Sequence, residues 1–498
     1  MLALEQLFSS TDKTFPNKMG SEKEQNLTPS HIAKEMVQAV VKQLPEDKWN
    51  KDLKILDIYC KSGILLYEFY FELFNRTRHL YIEDGLSDEE IDAKCRNHIL
   101  ENQLYGICTD PFLQLMSTRT VYGYITENSN IKYIKYFDSI VNNKDPKLFW
   151  ETIKENFGED KMKKFGVVIG NPPYNNDAYL DFVTKGHQLS SNLTCMITPA
   201  KWQAKTDAKV GKDGIDKNIQ FREEIVPYMS DIVFYPDSHD IFDIGEHGGI
   251  SYYIINKEKQ PEKKVTIKCK NDNFNAESEI HDEINTTLLN RTVLSIIGKA
   301  GTLGGGFKQS LYVKNTDHGE ETIEGTLGFK RQTFVNEQDR GEALKKLGYV
   351  EVMQGEKVCG YKKISELYTT EKIDKYKIIT SILVSGGSSY MNERGEFSRY
   401  FNSYIIGPNQ VPKGSFPVIR YFNTLDEAKS FNSYCNTKIF QFLFCIGVCG
   451  TTLTKEFFRF IPDPGKFDHI FTDQELYEKY NLTDEEIKII ESVIKERK

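Results

Sequence analysis

The tetrapeptide Asn171-Pro172-Pro173-Tyr174 follows directly on an apolar run, Phe165-Gly-Val-Val-Ile-Gly170. Its parts suit one reaction, methyl transfer to a planar exocyclic or amide nitrogen. Such a nitrogen is a poor nucleophile because its lone pair is delocalised into the adjoining π system. The side-chain oxygen of Asn171 and the backbone carbonyl of Pro172 can each accept one N–H of that amino group. The two hydrogen bonds pull the nitrogen toward tetrahedral geometry, which is electrostatic activation rather than proton abstraction. Pro172 and Pro173 fix φ and remove backbone donors, so the loop presents acceptors only. Tyr174 adds an aromatic face on which a planar base could stack. Taken alone, the same four residues also describe a plain strand-ending turn.

The surrounding elements decide between the two. The apolar run before Asn171 fits a buried parallel strand, and sites in α/β sheets lie at the carboxyl ends of strands. Upstream, Leu53-Lys-Ile-Leu-Asp57 reads as a short strand, Ile58 to Gly63 as a small-residue turn, and Ile64 onward as an apolar helix. This is the opening unit of a doubly wound sheet. Gly63 would allow close backbone approach to a ligand at the helix N-terminus, and Asp57 would order the turn or hold a ligand ammonium. A second strand over 103–107 leads to Cys108-Thr109-Asp110-Pro111 and a helix over 112–122. A third, over 131–137, alternates apolar and polar residues and closes at Asp138. Each acid by itself is a turn residue; as a row of strand ends they imply one crevice. Thr28 and Pro29 read as the N-cap and first position of a further helix.

Composition bounds the remaining possibilities. The chain has 498 residues, enough for two or three domains, and its 39% hydrophobic and 27% charged content is that of a globular protein. No apolar run approaches a membrane span and no secretory signal is visible, so a cytoplasmic, nucleoid-associated protein of bacterial or phage type is expected, with no membrane partner. Nine cysteines are scattered without metal-ligand spacing, and no metal is expected; Cys445 and Cys449 read as buried thiols. The net charge is −8, but residues 291–470 hold 24 Lys and Arg against 19 Asp and Glu, leaving a net of −13 elsewhere. A locally basic module on an acidic body is one form that a DNA-binding protein takes.

The linear order Thr28-Pro29, Asp57 to Gly63, Asp110, Asp138 and Asn171-Pro172-Pro173-Tyr174 resembles that of the gamma-type amino-methyltransferases that make N6-methyladenine in DNA. These are restriction–modification enzymes. Their later motifs are similar to Tyr179-Leu-Asp-Phe182-Val, to Leu193-Thr-Cys-Met-Ile-Thr-Pro199-Ala-Lys-Trp202, and to the segment from Phe242 through Gly249 to Ile255. The likeness covers about residues 20–260. It implies S-adenosyl-L-methionine as cofactor, with Thr28 and Pro29 lining its methionine end, Asp57 and Gly63 beside them, and Asp138 on its adenine amino group. Asn171 to Tyr174 would hold the target base, with Phe242 nearby. The chain departs from the family pattern at Lys61, where a glycine is usual, and at Ile58, where a proline is usual. The acid that grips the cofactor ribose falls at Cys108, leaving Asp110 as a displaced substitute. Cofactor binding is therefore expected to be weak or unusually built.

The expected architecture is α/β: a doubly wound, Rossmann-like methyltransferase domain over 1–260, then a mixed α/β target-recognition domain over 261–498 with an acidic helical tail. Residues 256–270 are strongly charged, and glycine-rich loops fall at 301–306 and 385–389. Arg331, Arg340, Lys375, Lys377, Arg394, Arg399 and Arg420 are candidate DNA contacts, although each alone is an ordinary surface cation. The expected partner is double-stranded DNA, with a cognate restriction endonuclease as a further one. Two other readings stay open: a methyltransferase acting on RNA or a protein glutamine, and a catalytically silent DNA-specificity subunit. A fused nuclease is disfavoured, because Asp237, Asp240 and Asp243 fall inside the methyltransferase-like stretch.

Overall fold

The computed structural model describes residues 26–498 apart from 127, 144, 159–164, 204–216, 243–247, 260–263, 271–275, 281–290, 301–313, 316–320, 323–340, 368–369, 449–450 and 496–498. Arg331, Arg340, Asp243, Cys449 and the loop at 301–306 lie outside the described residues.

The N-terminal half is built on one nine-stranded sheet. Its strands are β1 (Ile55–Asp57), β2 (Leu104–Cys108), β3 (Ile131–Tyr133), β4 (Phe165–Gly170), β5 (Ser190–Pro199), β6 (Met229–Tyr235), β7 (Ile250–Asn256), β8 (Val265–Cys269) and β9 (Ala276–Ile280). They lie in the order β3-β2-β1-β4-β5-β7-β6-β8-β9. The first five run parallel, and β7 reverses against both β5 and β6. β8 and β9 lie beyond residue 260 and continue the same sheet, so part of the charged 256–270 stretch is a strand paired on both sides. The chain winds from β1 outward to β3, then crosses back to β4 on the other side of β1. That reversal places a topological switch point between the carboxyl ends of β1 and β4, where doubly wound sheets bind ligands.

Both faces of the sheet are covered, which is why β4 is apolar throughout and fully buried. Alternate residues serve opposite cores: Ile55, Val167 and Ile169 face one apolar cluster, Leu56 and Val168 the other. The first cluster holds α1 (Ser30–Gln43), α2 (Ile64–Thr77), α3 (Asp88–Asn102) and α4 (Pro111–Tyr122). The second holds α5 (Phe137–Val141), α6 (Pro146–Phe157), α7 (Ala178–Leu189) and α8 (Lys217–Glu224). The alternation over 131–137 yields only a three-residue strand, because Tyr136 turns the backbone to φ 60° and Phe137 and Asp138 open α5 instead.

The C-terminal half is mixed α/β, as expected. Small sheets form from β10 (Tyr349–Gln354) and β11 (Lys357–Lys363), and from β12 (Tyr376–Ile379) with its neighbours, and a hairpin joins Ser385–Met391 to Phe397–Tyr400. Its phenylalanine-rich core surrounds Lys438–Gly447, a helix that is apolar on nearly every side and therefore central. That core also contains Phe234 and Cys269 of the large sheet, and the Met391 N–H donates to the Pro236 carbonyl at 3.3 Å. The tail forms two helices, Asp473–Lys479 and Asp484–Val493, each capped by a threonine and packed on this core through Leu476, Tyr477, Ile490 and Val493.

Candidate active site

Asn171 emerges from β4 immediately beside the end of β1, where Asp57 is in register with Ile169. The missing side chain of Gly170 makes this approach possible, since a Cβ there would lie 3.1 Å from Ile58 and 3.6 Å from the Asp57 carboxylate. Asn171 is buried, and its Nδ2 donates to the Asn26 carbonyl at 3.0 Å and to the Thr28 hydroxyl at 3.2 Å. A carbonyl can only accept, so the atom facing Asn26 must be the amide nitrogen. The Oδ1 on the other side is thereby defined as an acceptor, and it is buried with no hydrogen-bond partner among the described residues. Leaving such an acceptor unmade costs about 1–3 kcal/mol, a cost that a bound donor would recover.

Thr28 therefore has a different task from the one its helix-start signature suggests. Pro29 occupies the N-cap position of α1 without any side-chain cap, and the Thr28 hydroxyl is used on Asn171 instead. Pro172 is buried, while Pro173 and Tyr174 are half-buried. Phe242 meets the Tyr174 ring edge-on, with centroids 6.2 Å apart, and closes the wall behind it.

The turn after β1 carries an unusual concentration of buried charge. Asp57 accepts the Tyr59 backbone N–H at 3.1 Å, which orders the turn. Burial pushes its carboxyl up to about 7, against the pull of that N–H, of Cys60 and of Lys61. Lys61 is only 6% exposed, and its Nζ donates to the Asn26 carbonyl at 2.7 Å. Burial lowers its ammonium to about 7, with Asp57 and Asp138 opposing the shift. Gly63 adopts φ 81° at the start of α2, and a Cβ there would lie 3.0 Å from the backbone of Ser117. The close approach that it permits is thus to helix α4 rather than directly to a ligand.

Further along the strand ends, the Tyr59 hydroxyl donates to Asp138 at 3.5 Å and accepts from Thr109 at 3.5 Å, joining three turns into one rim. Cys108 is buried against the Ser117 hydroxyl at 3.4 Å. Asp110 caps its own helix, accepting from the N–H of Phe112 and Leu113, so one carboxylate oxygen is already engaged. The crevice thus gathers Thr28, Asp57, Asp138 and Asn171 to Tyr174 with Phe242. It also adds Asn26, Tyr59 and Lys61, which their residue types alone would not have nominated for these contacts.

The candidate DNA contacts do not gather in the same way. Arg399 is 5% exposed. The Arg420 guanidinium pairs with Asp463 at 3.2 Å and lies over the Phe467 ring at 4.7 Å. Lys377 is wholly buried, donating to the carbonyls of Ile373, Lys375 and Gly407. Lys375 is 3.7 Å from Asp374, and Arg394 is exposed at the tip of the 385–400 hairpin.

A doubly wound sheet with an amide acceptor and buried charges at its switch point defines a class: α/β proteins that bind a ligand between β1 and β4 and act at the end of β4. Within it, residues 102–177 match the Eco57I restriction-modification methylase family model. An "Uncharacterized adenine-specific methylase" of Mycoplasma pneumoniae is 27% identical over 297 residues, which are 45% of this chain and 66% of that protein. The chain thus spans just under two thirds of that relative. Among solved structures, the methyltransferase subunit of a Streptococcus thermophilus type I restriction-modification system aligns over 53% of this chain and 52% of its own (TM-score 0.33, 13% identity). A nuclease-deletion mutant of the Type ISP restriction-modification enzyme LlaGI, in complex with a DNA substrate mimic, aligns over 93% and 54% (TM-score 0.44, 8% identity). The resemblance carried by the motif order is therefore to the restriction–modification adenine methylases.

Proposed function

We propose that this chain is a site-specific DNA adenine N6-methyltransferase that uses S-adenosyl-L-methionine. The observation that carries the proposal is the buried, unpartnered Oδ1 of Asn171, fixed as an acceptor by the bonds that Asn26 and Thr28 make to the other end of the amide. The family match over 102–177 and the Mycoplasma relative support the same reading.

The buried groups fit the methionine end of that cofactor. Burial makes the Asp57 carboxyl resist ionisation where it stands, and a ligand ammonium beside it would favour the charged form. Thr28, Pro29, Asp57 and Gly63 would surround that end, and Asp138 would receive the adenine amino group, with Asp110 near the ribose. When bound, the cofactor would supply an electrophilic methyl group on a sulfonium.

The chain's own residues do the remaining work. An adenine flipped from the duplex stacks on Tyr174, backed by Phe242. Asn171 Oδ1 accepts one N6 hydrogen and the Pro172 carbonyl the other, localising the lone pair for in-line attack. No covalent bond to the enzyme forms. The sheet-based half performs the chemistry, while residues beyond about 260 choose the sequence through contacts that include Arg394.

Asn171→Ala should lower kcat for labelled-methyl transfer to duplex DNA by at least 10²–10³-fold, by analogy with the loss of one preorganised hydrogen-bonding group. Cofactor affinity by calorimetry should be unchanged. Turnover near the wild-type rate would sink the mechanism, and transfer to RNA or protein in preference to DNA would sink the choice of substrate.

A further inference from the structure

Lys61 is a buried cation that this chemistry does not consume. Its ammonium has three hydrogens, and among the described residues it makes one hydrogen bond, to the Asn26 carbonyl. That carbonyl also accepts from Asn171 Nδ2. A carbonyl oxygen has two lone pairs, so both donors are accommodated at once. Residues 26–29 belong to no helix or strand, so no backbone ladder fixes where this carbonyl lies. Lys61 reaches it from the turn between β1 and α2, across the crevice.

We infer that Lys61 is a positioning residue: its bond to the Asn26 carbonyl holds the 26–29 segment against Asn171, and so keeps Oδ1 aimed at the target amino group. The inference rests on the reading of Asn171 given above. It accounts for a side chain that is expensive to bury and stands between Cys60 and Ser62 in a buried turn. Geometry at this point matters because a misplacement of about 1 Å at a reacting group can cost on the order of 10²-fold in rate. A lysine here also ties the turn that would hold the cofactor to the loop that would hold the base, with one carbonyl as the shared joint.

Lys61→Met removes the donor and keeps the length. Lys61 makes no ion pair among the described residues, and burial disfavours its charged form, so losing the charge offsets losing the hydrogen bond and this variant should melt near the wild type. Its kcat on duplex DNA should fall about 10- to 100-fold, with the KM values for DNA and cofactor within about twofold. The fluorescence of 2-aminopurine at the target position, which reports base flipping, should be unchanged. Hydrogen exchange across 26–30 should be faster than in the wild type. Lys61→Gln, which keeps an N–H donor, should recover most of the rate and serves if the Met variant does not fold. Wild-type kcat in Lys61→Met, a loss confined to KM, unchanged exchange at 26–30, or a Gln variant no better than Asn171→Ala would each overturn the inference. Absence of methyl transfer by the wild type would sink the adenine reading instead, and the exchange measurement would still decide whether Lys61 clamps the segment.

Discussion

The two halves of the molecule each bury a lysine, and they use it in opposite ways. Lys377, in the C-terminal half, is completely covered, and its three hydrogens meet three backbone carbonyls at 2.7–3.1 Å. Burial lowers it to about 8, but every donor is spent on holding the 373–377 turn to Gly407. Lys61 is nearly as covered, falls to about 7 although the Asp57 and Asp138 carboxylates oppose the shift, and makes a single hydrogen bond among the described residues. A buried ammonium whose hydrogens are all taken is architecture. One that makes a single bond, to a carbonyl outside any helix or strand, positions a loop instead.

The sharpest way to break this comparison is to remove both lysines and measure stability. Lys377→Met would leave the Lys375 carbonyl without this donor, while those of Ile373 and Gly407 still accept from the N–H of Asn409 and Gln410. With one carbonyl left unpaired at about 1–3 kcal/mol, an expected loss of about 2 kcal/mol in urea denaturation follows, with cofactor and DNA binding unaltered. Lys61→Met should stay within about 1 kcal/mol of the wild type while losing turnover. Equal losses of stability in the two variants would erase the distinction.

The charge pair at Asp57 and Lys61 predicts a pH signature of its own. Because the Asp57 carboxyl is raised in the folded chain, its contribution to stability is complete below pH 4 and is lost as pH rises through about 7. Lys61 runs the other way: its penalty is full below about 7 and fades as pH rises toward 10.5. Asp57→Asn removes the first dependence. The variant should gain on the wild type by about 2 kcal/mol between pH 4 and 8, roughly half of what a three-unit shift implies, because Lys61 titrates against it. Melting curves that run parallel across that range would show that Asp57 keeps an ordinary carboxyl.

Much of the N-terminal half was legible in advance, because its signals are local. An apolar run closing at Asn171-Pro172 can only be a buried strand end, and strand–turn–helix around Asp57 and Gly63 repeats the same grammar. The third strand misled because Tyr136 takes a left-handed backbone that no alternation pattern announces. Thr28 misled for a different reason, since a threonine before a proline is a helix cap by local rules and here serves a residue 143 positions away. Asn26 gave no signal at all, because it acts through its backbone carbonyl, which every residue type possesses. In the C-terminal half, Lys362, Lys377 and Arg399 are buried among cations that mostly are not, and composition alone does not sort Arg420 from Arg394.

That last pair offers the gentlest test, since one arginine is half-buried and the other exposed. Arg420 has its guanidinium committed to Asp463 and stacked over Phe467, partly shielded from water. Arg420→Ala should therefore cost about 1 kcal/mol of stability, through lost packing and an orphaned carboxylate, and leave the salt dependence of DNA binding unmoved. Arg394, exposed at a hairpin tip beside Met391, whose N–H donates to the Pro236 carbonyl, should behave in reverse. Its alanine variant should melt within about 0.5 kcal/mol of the wild type. Affinity for duplex DNA should drop about 3- to 10-fold, and the slope of log affinity against log salt should shrink by about one, as expected for a lost phosphate contact. Were the two arginines to exchange these behaviours, the hairpin would not be the part of the C-terminal half that meets the duplex.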